Sequence, residues 1–425
     1  MLAQAGNHTC LPRREVAPVG SSQRTPLLVV AVAALAGAFF AGVLTFDFVA
    51  HLDRQVHAIT CSVTPGLSAP DSSGSSGCHA ALMSPYSSVA RRWTWGGIPI
   101  SLPALAVFAF LLFRSLDLLL AGAARPAQAT AFLLAATLLP LFASIVYFLL
   151  SVLRLKTLCT LCTALYVASI ACFAAALVAH RRAAAGGSLR PVAWGWHIVQ
   201  FCEGVLFVAI PVLVYLLVKP AYPEQVAHCG GLLHPEDRYQ VRLPLARQGG
   251  GVPTIEVLDP LCPACRALSL RLGASGLAQQ LDREVVLFPL DATCNWMVSE
   301  SLHPGSCTVS EAILAAGPQA ETVLTWALDH QPELRTLGAR SEKELSARIV
   351  KEFPQLAGAL GSPAVKSRLN RSLRWVVANS LPVLTPQVFV GGRKVCDEDT
   401  DLGLEYVLTR LLHERSLAPS GVGGR

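Results

Sequence analysis

The chain has 425 residues, of which 52% are hydrophobic and only 15% are charged. An ordinary soluble domain carries roughly 25% charged residues, so this composition excludes both a single soluble globular protein and a disordered chain. The net charge of +6 is spread along the sequence without a basic run, which argues against nucleic-acid binding. Apolar residues concentrate before position 220 and most acidic residues follow it, so we predict a membrane half and a soluble half.

Apolar segments in the first half predict membrane-spanning helices, because a span requires about 20 residues of this character. The five segments are 26–46, 98–113, 127–153, 157–179 and 194–218. The second is short, but it reaches residue 122 if Arg114 and Asp117 pair, three positions apart on one helix face. A signal peptide is the alternative for the first segment. Its apolar core would be shorter, about 7–15 residues, and small residues would mark a cleavage site, so we favour an uncleaved span.

Five spans place the two ends of the chain on opposite sides of the membrane. Seven Lys and Arg residues fall on the side of the N-terminal tail and five on the other side, which favours a cytoplasmic N-terminus. The sequence is therefore divided into a cytoplasmic tail (1–25), a membrane domain (26–218), a linker (219–250), an α/β domain (251–415) and a disordered tail (416–425).

The soluble half has a mixed α/β pattern. The predicted elements are a strand at 254–258, a helix to about residue 281, a strand at 285–289, helices over about 299–379, paired strands at 387–390 and 393–396, and a helix at 401–413. The motif Cys262-Pro-Ala-Cys265 lies between the first strand and the first helix. Orphan N–H groups and the dipole at a helix start stabilise a thiolate, so we expect Cys262 to exchange readily with disulfides.

Two other chemistries compete for this CxxC motif. Half of a zinc site is one, but no second CxxC or His pair lies at zinc-finger spacing. Haem attachment is the other, and it is excluded because Arg266 and not His follows the pair. We therefore interpret the pair as redox-active and expect no metal.

The soluble half resembles the thioredoxin fold, and more closely the variant with a helical insertion found in bacterial disulfide oxidants. The sequence Leu384-Thr385-Pro386 precedes the predicted strand at 387–390. In that family a cis-proline at this position faces the CxxC, and its backbone holds the substrate peptide. The resemblance therefore implies that Thr385 and Pro386 bind substrate. An ordinary proline at the start of a strand is the alternative.

Two further cysteine pairs lie in the membrane half. Cys159-Thr-Leu-Cys162 opens the fourth span, where the two sulfurs lie one turn apart on one helix face. Cysteines buried there by chance are the alternative, but a CxxC at a membrane boundary can meet a lipid-soluble oxidant and still reach thiols in water. The other pair is Cys61 and Cys78, in the loop after the first span.

These pairs stand in a specific order with three other features: Ser84, Gly97-Ile-Pro99 at the second span, and Tyr166 four residues after the membrane CxxC. The assembly resembles the vitamin K epoxide reductase family, and most closely its bacterial members fused to a thioredoxin-like domain. The resemblance covers about residues 26–415. Sixteen residues separate Cys61 from Cys78, more than the family usually has. In the other bacterial quinone-linked disulfide-forming protein the membrane CxxC precedes the loop pair.

The resemblance implies an α-helical membrane bundle of five transmembrane helices followed by an α/β thioredoxin-like domain with a helical insertion. It implies an enzyme of the bacterial inner membrane whose C-terminal domain lies in the periplasm or outside. Electrons would pass from reduced secreted or periplasmic proteins through Cys262/Cys265, the loop pair Cys61/Cys78 and the membrane pair Cys159/Cys162 to a quinone, either ubiquinone or menaquinone. Tyr166 and Ser84 would belong to the quinone site.

The remaining cysteines predict structural roles. Cys294 and Cys307 lie 13 residues apart in the soluble half, and we expect a disulfide worth roughly 3 kcal/mol on the chain-entropy model. Cys229 and Cys396 are left over in the same compartment, and their pairing stays open. Two alternative functions also remain: a membrane electron exporter that keeps the thioredoxin-like domain reduced, and a non-catalytic membrane-anchored binding module.

Overall fold

The computed structural model describes residues 21–52, 77–120, 126–155, 158–185, 194–219, 229–245 and 251–417. Most of both predicted tails, as well as Cys10 and Cys61, lie outside the described residues. The described chain forms two compact units. The first holds the residues up to Phe46 and Ile100–Val218, and the second holds Asp47–Pro99 and the residues from Lys219 onward.

The described ranges contain five helices that are long and apolar enough to cross a membrane. They are α1 (Ser21–Leu52), α3 (Ser101–Leu120), α4 (Pro126–Leu150), α5 (Thr160–Ala185) and α6 (Trp194–Val218). Each of them matches one predicted span. Arg114 and Asp117 form the predicted ion pair, with 2.9 Å between Nη1 and Oδ2. That pairing lowers the cost of two charges in an apolar segment and lets α3 continue to Leu120.

The interior of the helical unit is apolar and closely packed. Its fully buried side chains include Val30, Leu111 and Cys172. At Gly37 of α1, an added Cβ would lie 2.5 Å from the ring of Phe108 on α3, so only glycine allows this approach of the two helices. Large apolar side chains on α4 and α6 remain exposed, as a surface facing lipid requires.

The loop after α1 contributes a short helix, α2 (Gly77–Leu82), and two short antiparallel strands, β1 (Ser88–Val89) and β2 (Ile98–Pro99). The sequence pattern did not predict these elements. Gly97 has a φ of 76°, and a Cβ at this position would lie 2.5 Å from the carbonyl oxygen of Val89. The glycine that opens the second span is therefore required by this turn.

The second unit contains a sheet of five strands in the order β3-β5-β4-β6-β7 among the described residues. The strands are β3 (Leu243–Pro244), β4 (Val252–Leu258), β5 (Leu281–Leu287), β6 (Gln387–Val390) and β7 (Arg393–Lys394). Only the central pair β4 and β5 is parallel, and the other neighbours are antiparallel. Successive residues of β4 point to opposite faces, so Leu258 joins one apolar core and Val257 the other.

Helices cover both faces of the sheet. They are α7 (Pro263–Ser275), α8 (Ser306–Ala315), α9 (Ala320–Asp329), α10 (Gln331–Arg340), α11 (Glu342–Glu352), α12 (Pro363–Ala378) and α13 (Leu404–Leu417). The helices α8 to α12 stand between β5 and β6, where the sequence predicts a helical insertion. This order of strands and helices is a thioredoxin-like fold with a helical insertion.

Several boundaries of the soluble half differ from the sequence-based prediction: β5 spans Leu281–Leu287 and not 285–289, and α13 spans Leu404–Leu417 and not 401–413. The helix α7 ends at Ser275 and not near residue 281, because Gly276 takes a left-handed φ of 67° and caps it. The strand β3 lies inside residues 219–250, which the sequence assigns to a linker. Val241 and Leu243 are buried there, and Leu243 pairs with Val285 of β5. Neighbouring Gly and Pro residues hide this short strand from a pattern-based prediction.

Candidate redox sites

The pair Cys262 and Cys265 lies at the start of α7, directly after the central strand β4. Cys262 is the N-cap residue, and Pro263 occupies the first turn, where its missing N–H costs nothing. Both sulfurs are free thiols and both residues are buried. Gln331 on α10 fixes this turn, because its side-chain amide donates to the carbonyl oxygens of Pro260 and Cys262 at 3.0 Å and 2.9 Å.

The two thiols have opposite electrostatic character. A hydrogen bond from Cys265 lowers the pKa of Cys262 to about 6, against the effect of burial and with a further contribution from Thr385. Complete burial and the neighbouring Cys262 raise the pKa of Cys265 well above its ordinary value. Cys262 is therefore the sulfur that carries negative charge near neutral pH, and it is the better attacking and leaving group of the two.

The loop before β6 lies beside Cys262. The Thr385–Pro386 peptide bond is cis, and Cys262 Sγ donates to the carbonyl oxygen of Thr385 at 3.5 Å. The structure therefore brings Thr385 next to the cysteine pair, with Pro386 following it. Peptide binding by these two residues stays a prediction.

A fully buried carboxylate, Asp259, organises the turn that precedes Cys262. Its oxygens accept hydrogen bonds from the backbone N–H groups of Leu261 and Leu290, both at 2.7 Å, and from His303 Nδ1 at 2.8 Å. Ser306 Oγ is a fourth donor. No sequence pattern predicted this group, although an Asp three residues before the CxxC and a His-Pro-Gly turn are visible signals.

A second buried carboxylate lies on β4. Glu256 is 1% exposed and pairs with Arg283 of β5 through two hydrogen bonds, the longer of them 3.0 Å. The bidentate geometry satisfies both carboxylate oxygens. Only the pairing of neighbouring strands brings these residues together, so no spacing in the sequence indicates the ion pair.

The other CxxC pair, Cys159 and Cys162, lies at the start of α5. Cys159 is buried and its sulfur accepts a hydrogen bond from the N–H of Cys162 at 3.2 Å, while Cys162 is partly exposed. An anionic sulfur accepts such a bond more strongly than a thiol does. Both CxxC pairs thus lie at a helix start, where N–H groups have no intrahelical partner, but only Cys159 Sγ accepts a bond from one of them, since Cys262 makes no side-chain capping hydrogen bond.

Aromatic and apolar side chains surround the start of α5. Tyr166 lies one turn after Cys162, and the ring of Phe148 on α4 contacts it edge to face at 6.0 Å between centroids. The helix α4 continues as a π-helical turn, Ser151–Leu155, just before the pair, and such turns are frequent at functional sites. The ring of Phe148 beside the phenol of Tyr166 suits an aromatic ligand that arrives from lipid. Glu203 on α6 is partly buried and gains no role from its surroundings.

In the first loop, Cys78 is disulfide-bonded and 4% exposed. Its predicted partner, Cys61, lies outside the described residues, so the pairing stays a prediction. Ser84 is buried in the turn after α2, where its Oγ accepts a hydrogen bond from the N–H of Tyr86 at 3.3 Å. Its carbonyl oxygen accepts one from Arg91 at 2.7 Å. These contacts support the turn and leave the predicted quinone contact of Ser84 untested.

The same loop is bound to the thioredoxin-like domain at several points. One contact is made by Arg271 on α7, which is 3% exposed and donates from Nη1 to the carbonyl oxygen of Met83 at 2.7 Å. Trp95 Nε1 donates to Asp399 Oδ1 at 3.2 Å, and a Cβ at Gly403 would lie 2.6 Å from that nitrogen. The segment that follows Cys78 is therefore attached to the helix that begins at Cys262.

The two remaining pairs are disulfides in the thioredoxin-like domain. Cys294 and Cys307 are joined with a Cα–Cα distance of 6.0 Å, as the sequence predicts. Cys229 and Cys396, whose pairing the sequence left open, are joined with a Cα–Cα distance of 5.3 Å. In the described part of the chain, no three His, Cys, Asp or Glu side chains gather in a way that would hold a metal ion.

An apolar helical bundle and a thioredoxin-like domain, each with a CxxC at a helix start, define a membrane thiol–disulfide oxidoreductase. Residues 28–177 match the model of the Vitamin K epoxide reductase family. This part of the chain is a domain of that family, and the thioredoxin-like domain follows it. The matched segment begins in α1 and ends within α5, so it includes the first loop and the membrane CxxC.

Solved structures of oxidoreductases are similar to part of the chain. The oxidoreductase DsbA from Xylella fastidiosa is 19% identical, with 41% of this chain and 92% of that chain covered and a TM-score of 0.30. The oxidoreductase NmDsbA1 from N. meningitidis is 17% identical, with 41% and 90% covered and a TM-score of 0.28. No curated protein matches the chain.

Proposed function

We propose that this protein is a quinone-dependent enzyme that forms disulfide bonds in secreted or periplasmic proteins. The observation that carries the proposal is the contact of Arg271 with the carbonyl oxygen of Met83. It joins the segment after Cys78 to the helix that begins at Cys262. Cys78 and Cys262 belong to the same compact unit, so an exchange between them needs no diffusional encounter.

The first exchange uses the thioredoxin-like pair in its disulfide form. A substrate thiolate attacks Cys262 Sγ, a mixed disulfide forms, and Cys265 leaves as a thiolate. A second substrate thiolate then attacks the substrate sulfur of that mixed disulfide, and Cys262 leaves with the electron pair. The substrate gains a disulfide, and the enzyme pair is reduced. Thr385 and Pro386 would hold the substrate backbone, as the position of Thr385 beside Cys262 supports.

The second exchange reoxidises this pair through the loop. The Cys262 thiolate attacks Cys78 in the loop disulfide, and Cys61 leaves as a thiolate. Cys265 then attacks Cys262, which restores the first disulfide and releases Cys78. The low pKa of Cys262, about 6, suits it to the attacking role. The disulfide-bonded state of Cys78 is consistent with this step.

The third exchange carries electrons into the membrane domain. Cys61 attacks Cys159 of the membrane disulfide, and Cys162 leaves as a thiolate. Cys78 then attacks Cys61, which restores the loop disulfide and releases Cys159 as a thiolate. The residues around Cys162 fit a quinone, because Tyr166 offers a hydroxyl beside the apolar surface of Phe148. A bound quinone supplies a two-electron acceptor. Tyr166 would orient it by donating a hydrogen bond, and Ser84 would be a further residue of the quinone site.

The deciding experiment measures quinone reduction by the purified full-length chain with a reduced peptide that contains two cysteines. We expect one short-chain ubiquinone or menaquinone analogue to be reduced for each peptide disulfide formed. Thiol oxidation without quinone reduction would contradict the proposal. Trapping of thiols in cells tests the direction, because a mostly reduced Cys262/Cys265 pair would favour an electron exporter.

The proposed orientation has its own test. The N-terminus would lie in the cytoplasm, and the thioredoxin-like domain would lie on the opposite side of the bacterial inner membrane. Cysteines introduced at the exposed positions Ser299 and Arg182 should then react with an impermeant maleimide from opposite sides. Labelling of both from the same side would rule out this topology.

A further inference from the structure

The buried ion pair of Asp259 and His303 has no role in the exchange steps above. Asp259 lies three residues before Cys262 and is 0% exposed, and its carboxylate accepts four hydrogen bonds. All four partners of this carboxyl group are donors, and an ionised carboxyl group only accepts hydrogen bonds. A negative charge is therefore fixed beside a cysteine whose chemistry requires a second negative charge.

A thiolate at Cys262 beside the charge of Asp259 is unfavourable unless a positive charge offsets that carboxylate. The charge of Asp259 acts to raise the pKa of Cys262, whereas that of His303 acts to lower it. Because an ionised carboxylate can only accept, His303 Nδ1 must carry the proton in the 2.8 Å hydrogen bond. Burial opposes the charge on His303, but the hydrogen bond and attraction of Asp259 raise its pKa overall. The thiolate of Cys262 adds to that increase, and Arg335 on α10 reduces it.

The dipeptide between the two cysteines offers no such charge, because it consists of Pro263 and Ala264. The other groups that act on Cys262 are its partner Cys265 and the neutral Thr385. A basic side chain that acts on the attacking sulfur therefore comes from a distant part of the chain, the segment before α8.

The segment that carries His303 is held firmly in place. The disulfide between Cys294 and Cys307 closes it. The N–H groups of Leu302 and His303 both donate to the carbonyl oxygen of Leu290, at 3.0 Å and 3.1 Å. Asp291 is 1% exposed and accepts a further hydrogen bond from the N–H of Gly305 at 2.8 Å. The imidazole is thereby fixed against Asp259 and is not a mobile surface group.

We infer that His303 is a positioning residue that sets the charge of Cys262. Its imidazolium, held against Asp259, offsets the buried carboxylate and stabilises the Cys262 thiolate. The effect falls on the step in which the second substrate thiolate attacks the mixed disulfide. There the new S–S bond forms in the substrate, the bond to Cys262 breaks, and the electron pair stays on Cys262. The inference rests on the proposed function and adds a residue to its thiol-exchange site.

The test is the pH profile of Cys262 alkylation in the reduced full-length protein, followed by mass spectrometry of the peptide that contains this cysteine. His303→Asn keeps a donor to Asp259 and removes the positive charge. We expect the profile to move to higher pH and the rate at pH 5.5 to fall about tenfold, since one neighbouring charge shifts a pKa by about one unit. The matched variant Ser306→Ala removes a neutral donor to Asp259, and the exposed His234→Asn removes a remote imidazole. Neither of these two variants should change the pH profile of Cys262 alkylation.

Two results would overturn the inference. One is an unmoved profile in His303→Asn, and the other is an equal shift in Ser306→Ala. If His303→Asn does not fold, NMR titration of ¹⁵N-labelled histidine in the unmodified protein decides the question. His303 should then titrate at higher pH in the reduced protein than in the oxidised one, and equal values would refute the inference. The alkylation measurement does not require a quinone, so it can succeed even if the protein does not reduce quinone. In that case the proposed function would be rejected, and the inference about His303 would stand.

Discussion

The two CxxC pairs both lie at the start of a helix, but different side chains surround them. Cys159 and Cys262 both precede the first turn of a helix, where N–H groups have no intrahelical partner. Cys262 is surrounded by a buried carboxylate, an imidazole and a backbone carbonyl. The membrane pair lies beside Tyr166 and Phe148. The helix start thus provides a reactive sulfur in both places, and the surroundings determine what that sulfur reacts with.

On the proposed function, the difference follows from the partner of each pair. The substrate thiols and the loop disulfide would meet Cys262 in water, where charged neighbours can set a pKa close to the working pH. An acceptor dissolved in lipid requires an apolar approach and one well-placed donor. The comparison therefore predicts that changes at the membrane pair alter turnover with quinone, whereas changes around Cys262 alter thiol chemistry and its pH dependence.

The largest expected effect is at the membrane pair. Cys162→Ser should reduce quinone-dependent peptide oxidation to the uncatalysed background, because the relay loses its last sulfur. A single turnover of peptide oxidation at Cys262 should remain, as a stopped-flow burst would show. The matched control is Cys202→Ser, which changes an exposed cysteine of α6. Full steady-state turnover in Cys162→Ser would remove this pair from the electron path.

The next effect concerns pH at Cys262. Its lowered pKa places the midpoint of alkylation at about 6, and below that midpoint the rate should fall about tenfold per pH unit. The same shift stabilises the folded, reduced protein. This contribution to the free energy of unfolding is fully present above pH 9.0, the ordinary pKa of a thiol, and is lost as the pH falls through about 6. A midpoint near 9 would show that the helix start and its neighbours leave the sulfur unactivated.

A smaller effect is expected where the loop meets the thioredoxin-like domain. Arg271→Met keeps a long apolar stem but removes the donor to Met83, so the loop pair loses its fixed position beside Cys262. Steady-state turnover should fall by about tenfold or more, since a hydrogen bond from a charged group contributes roughly 1.5–3 kcal/mol, while single-turnover exchange with peptide stays unchanged. Arg348→Gln, at an exposed ion pair of the same domain, is the control. Equal losses in both variants would point to general destabilisation.

The smallest effect is expected at Tyr166. Tyr166→Phe keeps the ring beside Phe148 and removes one hydrogen-bond donor, and such a bond contributes about 0.5–1.5 kcal/mol. Steady-state quinone reduction should slow about threefold with the Cys262 profile unmoved. Tyr147→Phe, a change of the same kind on α4, provides the comparison. A loss in Tyr147→Phe that equals the loss in Tyr166→Phe would mean that the phenol at 166 has no specific role.

Much of the architecture was accessible from local patterns. Five apolar segments predicted five helices, and the Arg114–Asp117 spacing predicted their ion pair and the continuation of α3 beyond residue 113. The strand–CxxC–helix order and the strand at 387–390 placed the thioredoxin-like core. These features depend on residues close together in the chain. The strand β3 was missed because two residues carry too little pattern, and they become a strand only by pairing with β5.

The sequence by itself determined the chemistry available to this protein: three cysteine pairs in order, an apolar half, and a helix start at each CxxC. Tertiary structure alone decided which groups act on those sulfurs. His303 meets Asp259 across 44 positions, and Arg271 meets Met83 across 188. The physical reason is that helix starts and apolar spans arise from neighbouring residues, whereas the charge and attachment of a sulfur depend on side chains that only folding brings within hydrogen-bond distance.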